Sequence, residues 1–204
     1  MSTFLLIRHG ECDTGGIISG HSRGFHLTPK GNNQAEAMAR RLRNIPIAAL
    51  YSSPIERTME TAGYIARQKD IAIEIREELI EVNFGDWTGK KMGTLSNDQQ
   101  WNNFNIFKGA YCVPGGEMIE SIASRMCRFI EEVRRKHVGT IAVVSHGDPI
   151  KTVIAQYVGI PLDYITRFDI LPASISVLQI DDYGAVLNCL NTTGTDLMLA
   201  LGEY

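Results

Sequence analysis

Two short stretches carry much of the chemistry available to this chain: Arg8-His9-Gly10-Glu11 and Ser145-His146-Gly147-Asp148. Each follows a short apolar run, Phe4-Leu5-Leu6-Ile7 in one case and Thr140-Ile141-Ala142-Val143-Val144 in the other, that reads as a buried strand. Ligands of open α/β sheets gather just beyond the carboxyl ends of strands, so both imidazoles are delivered to the edge where such sheets do chemistry. Ser52-Ser53-Pro54 opens a helix in which Ser53 is expected to cap and Pro54 to occupy the first turn. Helical side chains lean toward the N-terminus, so Arg57 reaches back to the strand end. Glu81 adds a carboxylate ahead of the tight turn Asn83-Phe84-Gly85-Asp86-Trp87-Thr88-Gly89. Two arginines, two histidines and helix N-termini around one carboxylate suit a phosphoryl group, which needs donors for its equatorial oxygens, a nucleophile in line and a proton for the leaving oxygen. The planar fork of Arg pairs two oxygens at once and stays charged. No metal site is expected, because His21 and His26 lie in a Gly-rich loop without partners at ligand spacing.

Strand and helix signals alternate along most of the chain. Strands are expected at 3–8, 47–51, 71–75, 140–145, 173–180 and 185–190, the last two joined by the hairpin-type turn Asp181-Asp182-Tyr183-Gly184. Helices are expected at about 30–44, from Pro54 to about 68, at about 117–137 and after Asp148. His137 reads as a surface residue closing the third of these. Residues 82–93 are turn-rich, and 94–116, with Trp101, Phe104 and Phe107, is less regular. The alternation predicts an α/β fold of three layers, α/β/α, on a mostly parallel sheet. With no repeat, low-complexity tract or linker, residues 1–204 are expected to form a single domain.

The composition narrows the classes further. The chain of 204 residues is 44% hydrophobic and 21% charged, with a formal net charge of −3. These are the proportions of an ordinary soluble domain, and the scattered Lys and Arg argue against nucleic acid or a membrane surface as partner. The four cysteines, Cys12, Cys112, Cys127 and Cys189, show no paired spacing, as expected of free thiols in the cytoplasm. No apolar segment has the length of a signal peptide or a membrane span.

In family order, the pieces Leu6-Ile7-Arg8-His9-Gly10-Glu11, Leu27-Thr28-Pro29-Lys30-Gly31, Ser52-Ser53-Pro54 with Arg57 and Thr61-Ala62, Glu81 with Phe84-Gly85, Trp87 and Gly89, and Val144-Ser145-His146-Gly147 resemble the histidine phosphatase superfamily, in its phosphoglycerate mutase-like branch. The resemblance implies a two-step mechanism that needs neither metal nor cofactor. His9 is the nucleophile, Glu81 the acid and base, and Arg8, Arg57 and His146 the holders of the transferring group, with Gly147 and Gly15 beside the phosphate. Nearby arginines favour a neutral His9 but also an ionised Glu81, a tension that bound phosphate would relieve. Glu11 either orients an arginine or is purely structural. Trp87 and Phe84 read as local core, and Trp101, Phe104 and Phe107 as core or as contacts to a leaving group. Segment 82–116 takes the place of a cap that sets specificity.

Several departures favour hydrolysis over isomerisation. Gly15 stands where the family's mutases commonly carry Asn, and Val82-Asn83 stands where they carry Arg-His. The mutases' arginine-rich insertion is replaced by a short stretch, 94–116, whose one cation is Lys108, with Lys90 and Lys91 just upstream. The expected activity is a metal-independent phosphomonoester hydrolase acting on a small phosphorylated metabolite, similar to α-ribazole-phosphate phosphatases. The alternatives are a 2,3-bisphosphoglycerate-dependent phosphoglycerate mutase and a non-catalytic phospho-ligand-binding module. Monomer and homodimer both stay open.

Overall fold

The computed structural model describes residues 1–194 together with Leu197 and Leu201; the remainder of the expected 1–204 unit lies outside the described residues. Six strands form one sheet: β1 (Ser2–Arg8), β2 (Ile47–Ser52), β3 (Ile73–Ile75), β4 (Gly139–Ser145), β5 (Ile175–Ile180) and β6 (Ala185–Thr192), in the order β3-β2-β4-β1-β5-β6. The pairs β3–β2, β2–β4 and β4–β1 are parallel, while β1–β5 and β5–β6 are antiparallel. The sheet is thus mostly parallel, as the alternation predicts.

Side chains on each strand alternate between two buried faces. Phe4, Leu6, Tyr51, Ile141 and Val143 join one core; Leu5, Ile7, Leu50, Ala142 and Val144 join the other. Helices α1 (Pro29–Arg41) and α2 (Glu56–Lys69) cover the second face through Met38, Ala39, Ala62 and Ile65. Helices α4 (Ile119–Lys136) and α5 (Gly147–Val158) cover the first through Ile122, Met126, Phe129, Val153 and Ile154. A strand buried on both faces explains the unbroken Phe4-Leu5-Leu6-Ile7 run, all four of whose side chains are fully buried. Each contributes about 1.5–3 kcal/mol relative to an exposed position.

The segment expected to be irregular contains a helix, α3 (Gln99–Ile106), whose N-cap Asp98 accepts hydrogen bonds from the Gln100 and Trp101 backbone N–H groups. Its anchor is Phe104, fully buried against Trp87 and Trp101, whereas Phe107 is 52% exposed. Three further differences concern local contacts. Helix α2 starts at Glu56, and its N-cap Ile55 offers no side-chain bond, so Ser53 is not the cap. His137 is not simply a surface residue, because its Nε2 meets the Tyr51 hydroxyl at 3.0 Å. Strand β3 spans three residues where five were expected, and two of the three are exposed.

Candidate active site

Register brings the two histidines together. Arg8 of β1 pairs with Ser145 of β4, so His9 and His146 leave adjacent parallel strands at the same level, and their rings meet edge-on with centroids 5.2 Å apart. The turn after β1 is held from two sides. Gly10 N–H donates to Thr61 Oγ1 of α2 at 3.0 Å, and Ala173 N–H reaches the Arg8 and His9 carbonyls, each at 3.1 Å. Two glycines allow the close approach of this turn to α1. A Cβ on Gly10 would stand 2.5 Å from Gly31 O, and a Cβ on Gly31 would stand 2.0 Å from Glu11 O.

His9 is 5% exposed, and its Nδ1 lies 2.7 Å from Gly10 O. A carbonyl oxygen only accepts, so Nδ1 carries the proton and the Nε2 lone pair is free. Burial, followed by the Arg57 and Arg8 charges, lowers its pKa to about 3, so the ring is neutral near pH 7. His146 is fully buried, and burial is also the main reason its pKa falls well below the usual value. Its Nε2 sits 2.9 Å from Ser53 Oγ, and its Nδ1 is 3.8 Å from Glu81 Oε2.

Arg57 is 1% exposed and donates from Nη2 to Gly20 O at 3.1 Å, while Arg8 donates from Nη1 to Ile170 O. Gly147, the first residue of α5, lies against the Arg8 guanidinium; a Cβ there would be 3.6 Å from Arg8 Cζ. The N-terminus of α5 directs its positive dipole end to this edge of the sheet. Arg8 Nε, Arg57 Nη1 and His146 Nδ1 are buried and have no hydrogen-bond partner among the described residues. Leaving such a group unpaired costs about 1–3 kcal/mol, and more for a charged one. Arg8, His9, Arg57 and Glu81 line a 190 Å³ cavity with Glu11, Cys12, Thr14, Ser19 and Pro172.

The Glu81 pKa is raised to about 7, first by burial and then by the Asp148 charge, which together outweigh Arg57, Arg8 and the Val82 N–H. The expected tension at this residue is therefore shifted toward retention of the proton, with the carboxyl about evenly divided between its two forms near pH 7. The Glu81 main chain is also fixed, since its carbonyl accepts from His21 Nε2 at 2.7 Å and from Arg125 Nη2 at 3.1 Å. His21 thus serves as a tether to a backbone carbonyl 60 residues away. Among the described residues no three His, Cys, Asp or Glu side chains group together as metal ligands.

One of the remaining expected site residues, Gly15, at φ +60°, sits outside the cavity lining, and its N–H bonds to Asp13 Oδ1 at 2.8 Å. Thr14 and Ser19 represent its loop in the lining. Glu11 pairs with Lys30 and Thr28 rather than with an arginine, so of its two expected roles the structural one holds. Cys12 faces the cavity, and burial pushes its thiol pKa up, which suppresses the reactive thiolate.

The family model of the histidine phosphatase superfamily (branch 1) matches residues 4–193. Over its whole length the chain is 29% identical to phosphoserine phosphatase 1 of Hydrogenobacter thermophilus, 96% of which is covered. It is 30% identical to the 2,3-bisphosphoglycerate-dependent phosphoglycerate mutase of Thermoplasma acidophilum, over 89% of this chain and 88% of that protein. The α-ribazole phosphatase structure from Shigella flexneri superposes with a TM-score of 0.82 at 27% identity, covering 94% of this chain and 97% of that one. The chain belongs to the histidine phosphatase superfamily. No helix among the described residues is long and apolar enough to cross a membrane.

Proposed function

We propose that the protein is a phosphomonoesterase that hydrolyses a small phosphorylated metabolite through a phosphohistidine on His9, with no need for a metal. The observation that carries this reading is the set of three buried, unpartnered nitrogens, Arg8 Nε, Arg57 Nη1 and His146 Nδ1, two of them guanidinium donors, beside a histidine whose Nε2 lone pair is free. A phosphoryl group would satisfy both guanidinium donors, and His146 Nδ1 when that nitrogen carries the proton, while presenting phosphorus to Nε2. In the first step the Nε2–P bond forms, the ester P–O bond breaks, and the leaving oxygen takes the Glu81 proton. In the second, water gives a proton back to Glu81 as its oxygen attacks phosphorus, and the P–N bond breaks to release phosphate. Gly147 packs against the Arg8 guanidinium.

Hydrolysis is favoured over phosphate exchange between carbons. A phosphoglycerate needs cations for its carboxylate as well as its phosphate. Lys108, the single cation of segment 94–116, is committed to Asp148 at 3.5 Å and to the face of Phe104 at 4.0 Å from its centroid. Thr14, Ser19 and Glu11 line the cavity wall and suit a hydroxyl- or amine-bearing leaving group better than a second anion. Segment 82–116, the expected cap, contributes none of the residues that line this cavity. The relatives direct the first trials to O-phosphoserine and α-ribazole phosphate. Phosphate release is expected with and without a chelator, strong inhibition by vanadate, which imitates five-coordinate phosphorus, and loss of at least 1,000-fold in kcat for His9→Ala, an order-of-magnitude figure for removing a nucleophile. Turnover that depends on added divalent metal counts against the reading, and bisphosphoglycerate-dependent exchange without net hydrolysis would favour the mutase alternative.

A further inference from the structure

Ser53 and His146 are both fully buried, and the serine hydroxyl lies 2.9 Å from the imidazole Nε2. Among the described residues this is the single hydrogen bond of Ser53 Oγ. The pairing is imposed by the sheet: Ser52 of β2 pairs with Val144 of β4, and Ser53 N–H donates to Val144 O at 3.0 Å. The neighbouring Ser52 cannot substitute, because its hydroxyl donates to the Ser53 carbonyl.

We propose that Ser53 is a positioning residue, whose hydroxyl donates to His146 Nε2 and fixes the neutral ring as the tautomer with its proton on Nδ1, aimed at the transferring phosphoryl group. The alternative tautomer fails twice. With the proton on Nε2, the Ser53 hydroxyl hydrogen would have no acceptor in a fully buried place. The Nδ1 lone pair would then face any phosphoryl oxygen seated beside it, lone pair against lone pair. With the proton on Nδ1, the serine is satisfied and the otherwise unpartnered buried Nδ1 becomes a donor. The ring stays neutral because it is buried and feels the charges of Arg57, Arg125 and Arg8, with Glu81 the one acidic group within 4 Å among the described residues. Ser53 thus gives His146 the hydrogen-bonding character of a cationic donor without the charge. Neutrality is needed here, since an imidazolium 3.8 Å from Glu81 would stabilise the carboxylate and favour loss of the proton that Glu81 must give to the leaving oxygen.

The purpose of this tautomer rests on the phosphatase reading, but the tautomer itself does not, and the test separates the two. Long-range ¹H–¹⁵N spectra of imidazole-labelled resting protein near neutral pH, with His146 assigned by His146→Gln, read the protonated nitrogen directly. The expected result is a proton on Nδ1 in the parent protein and in Ser53→Thr, and a mixture or a proton on Nε2 in Ser53→Ala. The His9 pattern, set by Gly10 O, should be unchanged in all three. An oriented donor of this kind is worth on the order of 100-fold in kcat, and freeing its tautomer forfeits part of that, so Ser53→Ala is expected to lower kcat about tenfold with a smaller effect on KM. Ser53→Thr should restore most of the loss. A parent spectrum with the proton on Nε2 overturns the proposal, as does a Ser53→Ala protein that keeps both the parent tautomer and the parent kcat. The parent spectrum decides even where Ser53→Ala fails to fold, or where no phosphomonoester is turned over at all.

Discussion

At the residue scale, a carbonyl-anchored imidazole, a hydroxyl-anchored imidazole and a carboxyl of raised pKa do different jobs within one cluster. Burial and two arginines keep His9 neutral down to about pH 3, whereas burial and Asp148 keep Glu81 protonated up to about pH 7. Activity that needs neutral His9 and protonated Glu81 should therefore hold across mildly acidic pH and fall as pH rises through about 7. Asp148 raises the Glu81 pKa, so Asp148→Asn should move the alkaline limb of kcat/KM to lower pH; a limb that stays in place or moves up would refute this electrostatic account. His9, His146, Arg8, Arg57 and Glu81 were legible in the sequence because each stands at a strand end, a helix start or a turn, where local pattern fixes direction. The residues that hold them were not. Ser53 meets His146 across 93 positions, His21 meets the Glu81 carbonyl across 60, and Arg125 meets it across 44. Arg125 sits on the polar side of an amphipathic helix, so no local feature distinguishes it from a solvated charge. The Ser-Pro pair at 53 and 54 is as compatible with a cap as with the contact the fold actually makes.

At the element scale, the site depends on how closely α1 and α2 approach the turn after β1. Gly31→Ala places a Cβ 2.0 Å from the Glu11 carbonyl, in a backbone-on-backbone contact that no rotamer change relieves. It should cost about 1–3 kcal/mol of stability by overpacking, seen as a lowered midpoint in urea unfolding, together with lost activity. An unchanged midpoint would mean that the turn moves freely away from α1. On the other face, Arg76, just after β3, joins Glu78 at 2.8 Å and Glu132 of α4 at 2.7 Å. Hydrogen bonds from Arg76 and then Lys136 lower the Glu132 pKa to about 2. A depressed carboxylate pKa adds stability that is present above the unfolded value, near 4.5, and is lost as pH falls through the folded one, near 2. Glu132→Gln should therefore lower Tm at pH 6 and narrow its gap to the parent by pH 2; equal Tm values at pH 6 would show the pair to be idle. The long amphipathic helices and buried strands were readable from their periods. Helix α3 was not, because its polar run Gln99-Gln100-Trp101-Asn102-Asn103 has low helical propensity and its single buried anchor, Phe104, creates no period.

At the scale of the whole molecule, function follows from strand order. Inserting β4 between β2 and β1 places the ends of three parallel strands side by side, so that Ser53, His146 and His9 arrive at one edge from positions far apart in the chain. The alternation of elements announced the three layers, but strand order is a long-range choice, and the sequence alone did not reveal which strand ends become neighbours. The direct test of the central claim is to mix enzyme with a turned-over phosphomonoester, quench within one turnover under alkaline denaturing conditions, and locate the phosphate by mass spectrometry. The account predicts an acid-labile phosphoryl group on His9, formed in the presence of chelator and absent from His9→Ala. Full turnover with no phosphoenzyme, or with the phosphate on another residue, would contradict it.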